Sequence, residues 1–177
     1  MTDTRPTVPR PCPPRRGEAA FVEDVEARLG NYVKQAEQAL IAAKSEALRP
    51  FDLTAAQYAA MMALYYAPGQ SSAQLARTAA VTPQTMMTIL SKLEHKRLIE
   101  RSPSKEHRKV LVTVLTSAGE ALLLRADKHA RAVEERLADA LTAEEHRQAR
   151  NLLRKIAAAL RGNSAVEGSA LHEADTP

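Results

Sequence analysis

Between Thr82 and Arg101 the chain runs TPQTMMTILSKLEHKRLIER, and its side chains fall into two sets. Thr82 puts a hydroxyl where a helix N-terminus needs a cap, and Pro83 suits the first helical position. At about 100° per residue, Gln84, Thr88, Ser91 and His95 line one side of that helix, while Met86, Ile89, Leu90 and Leu93 line the other. The chemistry of the first side is short-range hydrogen bonding. A glutamine amide pairs with adenine in bidentate fashion, and Ser or Thr hydroxyls bond several bases or phosphates. Met87, beside that face, offers an apolar contact to a thymine methyl. Ser71 and Thr85 add hydroxyls near helix starts, where unpaired backbone N–H groups attract phosphate.

A basic run follows at once. From Lys92 to Lys109, seven basic side chains stand against three acids, an excess equal to the formal charge of the whole chain, +4. Lys92 and Arg101 belong to this run, and so do Lys105, His107 and Arg108 in the sequence PSKEHR. That sequence has the composition of a hairpin tip, and a basic tip fits the neighbouring minor groove, whose negative potential favours arginine. A polar helix face alone is most often merely solvated. The conjunction of a capped short helix, a polar face and a basic hairpin carries the assignment to double-stranded DNA.

The elements that must position these groups are legible from period and punctuation. Phe21, Val25, Leu29, Tyr32, Val33, Ala36 and Leu40 recur at helical steps, so the spacing predicts one long amphipathic helix over 18–48, ended by Pro50. Thr54 with Gln57, and Ser71 with Gln74, have the spacing of capping boxes and open two shorter helices, the first stopped by Pro68-Gly69. Two short helices joined by a tight turn, the second capped by Thr82, make a helix-turn-helix, whose second helix lies in the major groove. The period then changes to that of strands. A β-branched stretch at 109–115 pairs with a shorter strand at 99–102. Helix resumes at Thr116 and again at Thr142, where Glu145 reciprocates the cap, and Gly162 stands where a C-terminal cap belongs. The expected fold is mainly α with a small β-hairpin wing: a winged helix-turn-helix core over 53–115, flanked by long helices over 18–48 and 116–161. These flanking helices carry apolar stripes longer than the middle can cover, which implies a partner, most simply a second copy of the chain.

Outside 18–161 the composition changes. Residues 1–17 hold five of the ten prolines and four arginines, a disordered basic arm, and 162–177 is expected to be a disordered tail. The totals exclude several classes. No run approaches about eighteen apolar residues, so no membrane span is expected, and the first residues lack the apolar centre of a secretory signal. One cysteine, Cys12, forbids an intrachain disulfide and suits a reducing cytoplasm. The five histidines show no ligand spacing with cysteine, and neither a phosphate-cradling glycine loop nor a nucleophile with a paired base is present. Neither a metal, a cofactor nor an enzymatic activity is expected.

LTAAQYAAM at 53–61, SAQLARTAAVTPQTMMTILSKLEHKRLIER at 72–101 and LTSAGEALL at 115–123 together resemble the multiple-antibiotic-resistance regulator (MarR) family of bacterial winged-helix transcription factors. The resemblance implies an obligate homodimer with interlocked terminal helices, two lobes gripping a pseudo-palindromic operator, and repression relieved by a small, often phenolic or aromatic, ligand in the crevice between dimerisation helices and DNA-binding lobe. Three departures stand out. Arg97 occupies a position where the family commonly has glycine. The wing carries Glu106-His107-Arg108 where the family has Asp-x-Arg. The stretch from Arg108 to Leu115-Thr116 looks one residue longer, which suggests a bulge or shifted register.

For the effector crevice the sequence offers Tyr58, Met62, Tyr65 and Tyr66 on one helix and Tyr32 on the first, with Arg15, Arg16 or Arg28 as a counter-charge. Tyr and Met at helical steps are more often core. In a pocket, the hydroxyls would orient a phenol or carboxylate. Two rival readings remain at this level. One is a regulator switched by oxidation of Cys12, whose neighbouring arginines lower a thiol pKa. The other is a winged-helix module for protein interaction or DNA architecture.

Overall fold

The computed structural model describes residues 17–79, 81–104 and 110–170. Helices are α1 (Glu18–Glu26), α2 (Leu29–Leu48), α3 (Ala55–Tyr66), α4 (Ser72–Thr78), α5 (Pro83–His95), α6 (Ser117–Asp139) and α7 (Ala143–Ala170), with a 3-10 turn over Arg49–Phe51. Strands β1 (Gln70–Ser71), β2 (Ile99–Pro103) and β3 (Leu111–Leu115) form one antiparallel sheet in the order β1-β3-β2. The fold is mainly helical with a small wing, as the sequence implies. Two compact units divide the chain, Met1–Val133 and Glu134–Pro177.

The capped starts form as the spacing predicts. Thr54 and Gln57, and Ser71 and Gln74, each make both bonds of a capping box. Thr82 Oγ1 accepts the Thr85 N–H at 3.1 Å, and Thr142 with Glu145 closes a reciprocal pair. Each cap satisfies helix N–H groups that have no intrahelical acceptor.

Four features differ from expectation. The helix over 18–48 is two helices, broken at Ala27-Arg28. Asn31 Nδ2 donates to the Val25 carbonyl at 2.7 Å, a carbonyl that a continuous helix would use itself, and Gly30 weakens helix locally. The apolar period continues across the break and hides it. The second difference is β1. Gly69, at φ +79°, turns the chain so that its N–H donates to the Thr113 carbonyl at 2.9 Å, while Gln70 Nε2 returns to the Ala63 and Ala67 carbonyls at the end of α3. Third, α7 continues through Gly162 to Ala170, where a tail was expected from 162. Glycine inside a helix costs about 1 kcal/mol, too little to stop a long helix without a proline. Fourth, β2 and β3 pair without a bulge from Ile99↔Leu115 to Pro103↔Leu111, and the Ser104 N–H still donates to the Val110 carbonyl at 2.7 Å. The rest of the stretch that looked longer, 108–109, lies outside the described residues.

The core of the first unit is aliphatic and tight. Leu48, Met61, Leu64, Leu75, Met86, Leu90, Leu93, Ile99 and Leu123 are fully buried. They come from α2, α3, α4, α5, β2 and α6, so the end of α2, the helix-turn-helix, the wing and the start of α6 share one interior. Outside it, Phe21, Val22, Leu29, Tyr32 and Ile41 of the first unit stay exposed, Phe21 by 67%. Along α7, Leu152, Leu153 and Leu160 are likewise exposed.

The end of α5 explains Arg97. It sits at φ +57°, the left-handed position after the helix. Its N–H donates to the Glu94 carbonyl at 2.8 Å, and the Leu98 N–H to Leu93 at 3.0 Å, the double bond of a Schellman cap. Buried Leu93 and Leu98 flank the turn. An L side chain in this region costs about 1 kcal/mol or somewhat more, so the Arg97→Gly variant is expected to be more stable by about 0.5 kcal/mol after its added unfolded-state freedom is subtracted. Urea denaturation should show a higher midpoint at an unchanged slope.

Candidate nucleic-acid interface

The exposed face of α5 is built from the inside out. Met86, Ile89, Leu90 and Leu93 anchor the helix in the core, which leaves Gln84, Thr85, Met87, Thr88, Ser91, Lys92 and His95 exposed. Thr82 and Thr85 share a side-chain hydrogen bond of 2.8 Å, and Thr88 Oγ1 donates back to the Gln84 carbonyl at 3.2 Å. Gln84 and Ser91 make no side-chain hydrogen bond among the described residues, so their donors and acceptors are unspent. Met87 is 41% exposed beside them. Pro83 stands at the first turn, and Ser71 is committed to the start of α4. The turn between α4 and α5 is held by the Val81 N–H on the Ala76 carbonyl, 3.0 Å.

The basic run divides into two roles. Arg101, in β2, turns its guanidinium toward α5: its Nε donates to Glu94 Oε2 at 2.9 Å and a terminal nitrogen adds a second bond. The side chain is only 17% exposed, so the pair ties the wing to α5. Hydrogen bonding from Arg101 holds the Glu94 carboxyl below its ordinary 4.5, burial opposes this, and the arginine's charge assists. A carboxyl lowered by folding stabilises the fold above its unfolded value and loses that contribution as pH falls through its folded one. The Glu94→Gln variant should therefore melt below the wild type at neutral pH, and the two melting curves should converge in acid, below the ordinary carboxylate range. A gap that stays constant with pH would remove the ion pair as its cause. Lys105, His107 and Arg108, with Glu106, lie outside the described residues.

The expected effector residues are dispersed in role. The Tyr58 hydroxyl donates to Asp127 Oδ1 at 2.6 Å, linking α3 to α6. Burial pushes the Asp127 carboxyl up, but the Tyr58 hydroxyl and the Arg131 guanidinium outweigh it and hold it below its ordinary value. Tyr65 and Tyr66 meet edge to face, ring centres 5.6 Å apart, and both are exposed. Arg28 pairs with Asp24, Tyr32 is exposed on α2, and Met62 packs against the core.

A cavity missed by sequence reasoning adjoins α5. It measures about 580 Å³ and is lined by Ser45, Arg49, Asp52, Leu53, Thr54 and Gln57 from the α2–α3 junction and by Ser91, Lys92, His95 and Lys96 from α5 and its end. Ser91, Lys92 and His95 on α5 and the Thr54–Gln57 cap were each legible in the sequence, but nothing in it brought them together. The other wall lies some forty residues earlier in the chain and shares no motif with it. Among the described residues, no group of three or more histidine, cysteine or acidic side chains is placed to hold a metal, and no helix is long and apolar enough to cross a membrane.

Comparison with known proteins matches this geometry to one group. A family model described as the MarR family matches residues 51–109, which include α3, α4, α5 and β2. The transcriptional repressor Rv2887 of Mycobacterium tuberculosis is 37% identical over 131 residues, covering 74% of this chain and 94% of that protein. Among solved structures, the repressor CouR bound to a 23-mer DNA duplex superposes with a TM-score of 0.70 at 27% identity, over 76% of this chain and 95% of its own. Rv2887 in complex with p-aminosalicylic acid gives a TM-score of 0.57 at 37% identity, over 73% and 98% of the two chains.

Proposed function

The chain belongs to the MarR family of winged helix-turn-helix transcriptional regulators, and from that premise we propose that it is a homodimeric repressor of a pseudo-palindromic operator, released by a small aromatic acid. The observation that carries the DNA reading is the division of α5: four apolar anchors buried, with Gln84 and Ser91 exposed and unspent. Short polar side chains let a helix lie deep in the major groove, and a glutamine can discriminate adenine there. Phosphate contacts fall to the basic residues Lys92, Lys105 and Arg108 and to the helix starts at Ser71 and Thr82, and Arg101 acts by fixing the wing against α5. Homodimerisation accounts for the exposed apolar side chains of α1 and α2, and separately for the stripe along α7. Support for DNA as the partner comes from CouR, which is bound to a duplex. Support for an aromatic acid comes from Rv2887, which holds p-aminosalicylic acid.

No observation favours a redox switch. Cys12 is the single cysteine and lies outside the described residues. An interaction module without specific DNA is disfavoured by the unspent hydrogen-bonding face of α5.

The test is fluorescence anisotropy with DNA from upstream of the protein's own gene, at two salt concentrations, against unlabelled random DNA. Binding that survives the competitor, and weakens steeply with salt, is the expected result. Gln84→Ala should relax the preference at one position of each half-site, at a cost of about 1–3 kcal/mol for the preferred base. A base-substitution series read by the same method checks it, and an unaltered preference removes Gln84 from base reading.

A further inference from the structure

An open trough runs along the flank of α5 that meets the start of α3. Two hollows compose it, of about 330 and 580 Å³, and they share Thr54, Gln57 and Lys92. Thr85, Thr88, Lys92 and His95 stand along its α5 wall at helical steps, which makes the trough about 15 Å long. Its charge is one-sided. Arg49, Lys92 and His95 are exposed and make no ion pair or side-chain hydrogen bond among the described residues. Asp52 is the one acid in the lining among the described residues, and it is held by Lys96, whose Nζ lies 2.8 Å from Oδ2 and also bonds the Asp52 carbonyl. Gln57 is 4% exposed, and its side-chain oxygen accepts the Thr54 N–H at 3.0 Å, which fixes the orientation of the amide. The amide nitrogen donates to nothing among the described residues, yet it is not sealed from solvent. A nearly buried side chain thus keeps a donor in reserve beside three uncommitted basic groups.

We infer that this trough seats the sugar-phosphate backbone of one DNA strand, beside the groove that α5 reads. Donors ranged in a row along an open trough suit a chain of phosphates, whereas a compact anion needs donors that converge on one point. Arg49 and Lys92 take charge-assisted bonds to phosphate oxygens, and the His95 ring and the Gln57 amide add uncharged ones. Gln57 contributes position more than charge, because its capping box holds the amide in one orientation. Contacts of this kind carry no base information but fix the register and depth of a reading helix. The α2–α3 junction thereby becomes a third part of the DNA surface, with α5 and the wing, and Arg49, Gln57 and His95 join the contacts. Asp52 limits this surface: by neutralising Lys96 it withholds one ammonium at the same edge from the phosphates. The inference rests on the reading of α5 as the DNA-reading helix.

The test is anisotropy over a salt series, with the full-length protein on its upstream fragment and on a random duplex. Arg49→Gln should weaken both about tenfold and make the slope of log affinity against log salt shallower by about 0.9, the share of one phosphate. Its base preference, read from a substitution series, should stay that of the wild type. Gln57→Glu keeps an acceptor for the Thr54 N–H, and with it the capping box, but replaces the donor with a negative charge, so it should weaken both duplexes at least about tenfold. Asp52→Asn should instead tighten both severalfold, since Lys96 is released, and asparagine also tolerates the left-handed backbone at φ +51°. Arg49 and Asp52 are exposed, so these two variants should melt as the wild type does and keep the test independent of folding. Unchanged affinity and slope for Arg49→Gln overturn the backbone seat, and so does the lack of any gain from Asp52→Asn. A base preference altered by Arg49→Gln would mean that Arg49 acts by holding α5, and overturns it too. Sodium phosphate and sodium chloride of equal ionic strength should weaken the wild-type complex alike; extra competition by phosphate that Arg49→Gln abolishes would make the trough a free-anion site and end the proposal. Backbone contacts are also read on random DNA. A wild type without competitor-resistant binding would therefore sink the proposed function, while the slope change in Arg49→Gln still decides the trough.

Discussion

Replacing Gly119 with alanine is expected to destabilise the protein by about 3 kcal/mol, although helix propensity alone would favour alanine by about 1 kcal/mol. The residue lies in the first turn of α6, and a Cβ built there meets the backbone oxygen of Leu98 at 2.0 Å. That oxygen cannot swing away. It accepts the Thr116 N–H at 3.1 Å, and Leu98 itself closes the Schellman turn at the end of α5. Thr116 completes the junction: its hydroxyl donates to the Arg97 carbonyl at 2.9 Å and accepts the Gly119 N–H at 3.0 Å. The Leu-Thr-x-x-Gly sequence at 115–119 is therefore a docking joint that seats the start of α6 on the turn after α5. Relief of the clash must move α6 or that turn, and with it the wing strand that begins at Ile99. At roughly 2–4 °C per kcal/mol for a chain of this size, the melting temperature should drop by about 10 °C. Thermal unfolding followed by circular dichroism decides the matter. An unchanged or raised melting temperature would show that propensity prevails and that the joint yields freely.

That joint also shows what a sequence discloses. Caps were legible because their chemistry is local: Thr54 with Gln57, Ser71 with Gln74 and Thr142 with Glu145 are three residues apart and need only one turn of backbone. The face of α5 was legible because burial follows the 3.6-residue period. The break before α2 was not, since Asn31 reaches back six residues to a carbonyl while the apolar rhythm runs on unaltered. A strand of two residues, β1, has no rhythm to detect. Gly162 misled because glycine at a helix end and glycine within a helix look alike until the backbone chooses its φ. Arg101 has the charge of a phosphate ligand, yet its partner is Glu94, seven residues away and in another element. The cavity at Arg49 and His95 joins two segments with no common motif, so only the packing of α3 against α5 reveals it.

The second large effect is expected at Ser91. Glutamate at this position should lower operator affinity by at least about 100-fold, because like charges brought together in an interface cost several kcal/mol. Ser91 is exposed on α5 and makes no side-chain hydrogen bond among the described residues, and glutamate is the better helix former. The melting temperature should therefore hold, within the roughly 0.5 kcal/mol usual for surface changes, which separates lost binding from lost folding. Ser91→Ala removes only the hydroxyl, worth about tenfold or less if it bonds a base or phosphate. The large gap between the two variants is what places phosphates around this face. The slope of log affinity against log salt should also become shallower for the glutamate variant, since one phosphate contact is offset. Equal DNA affinity for wild type and Ser91→Glu would take α5 out of the groove.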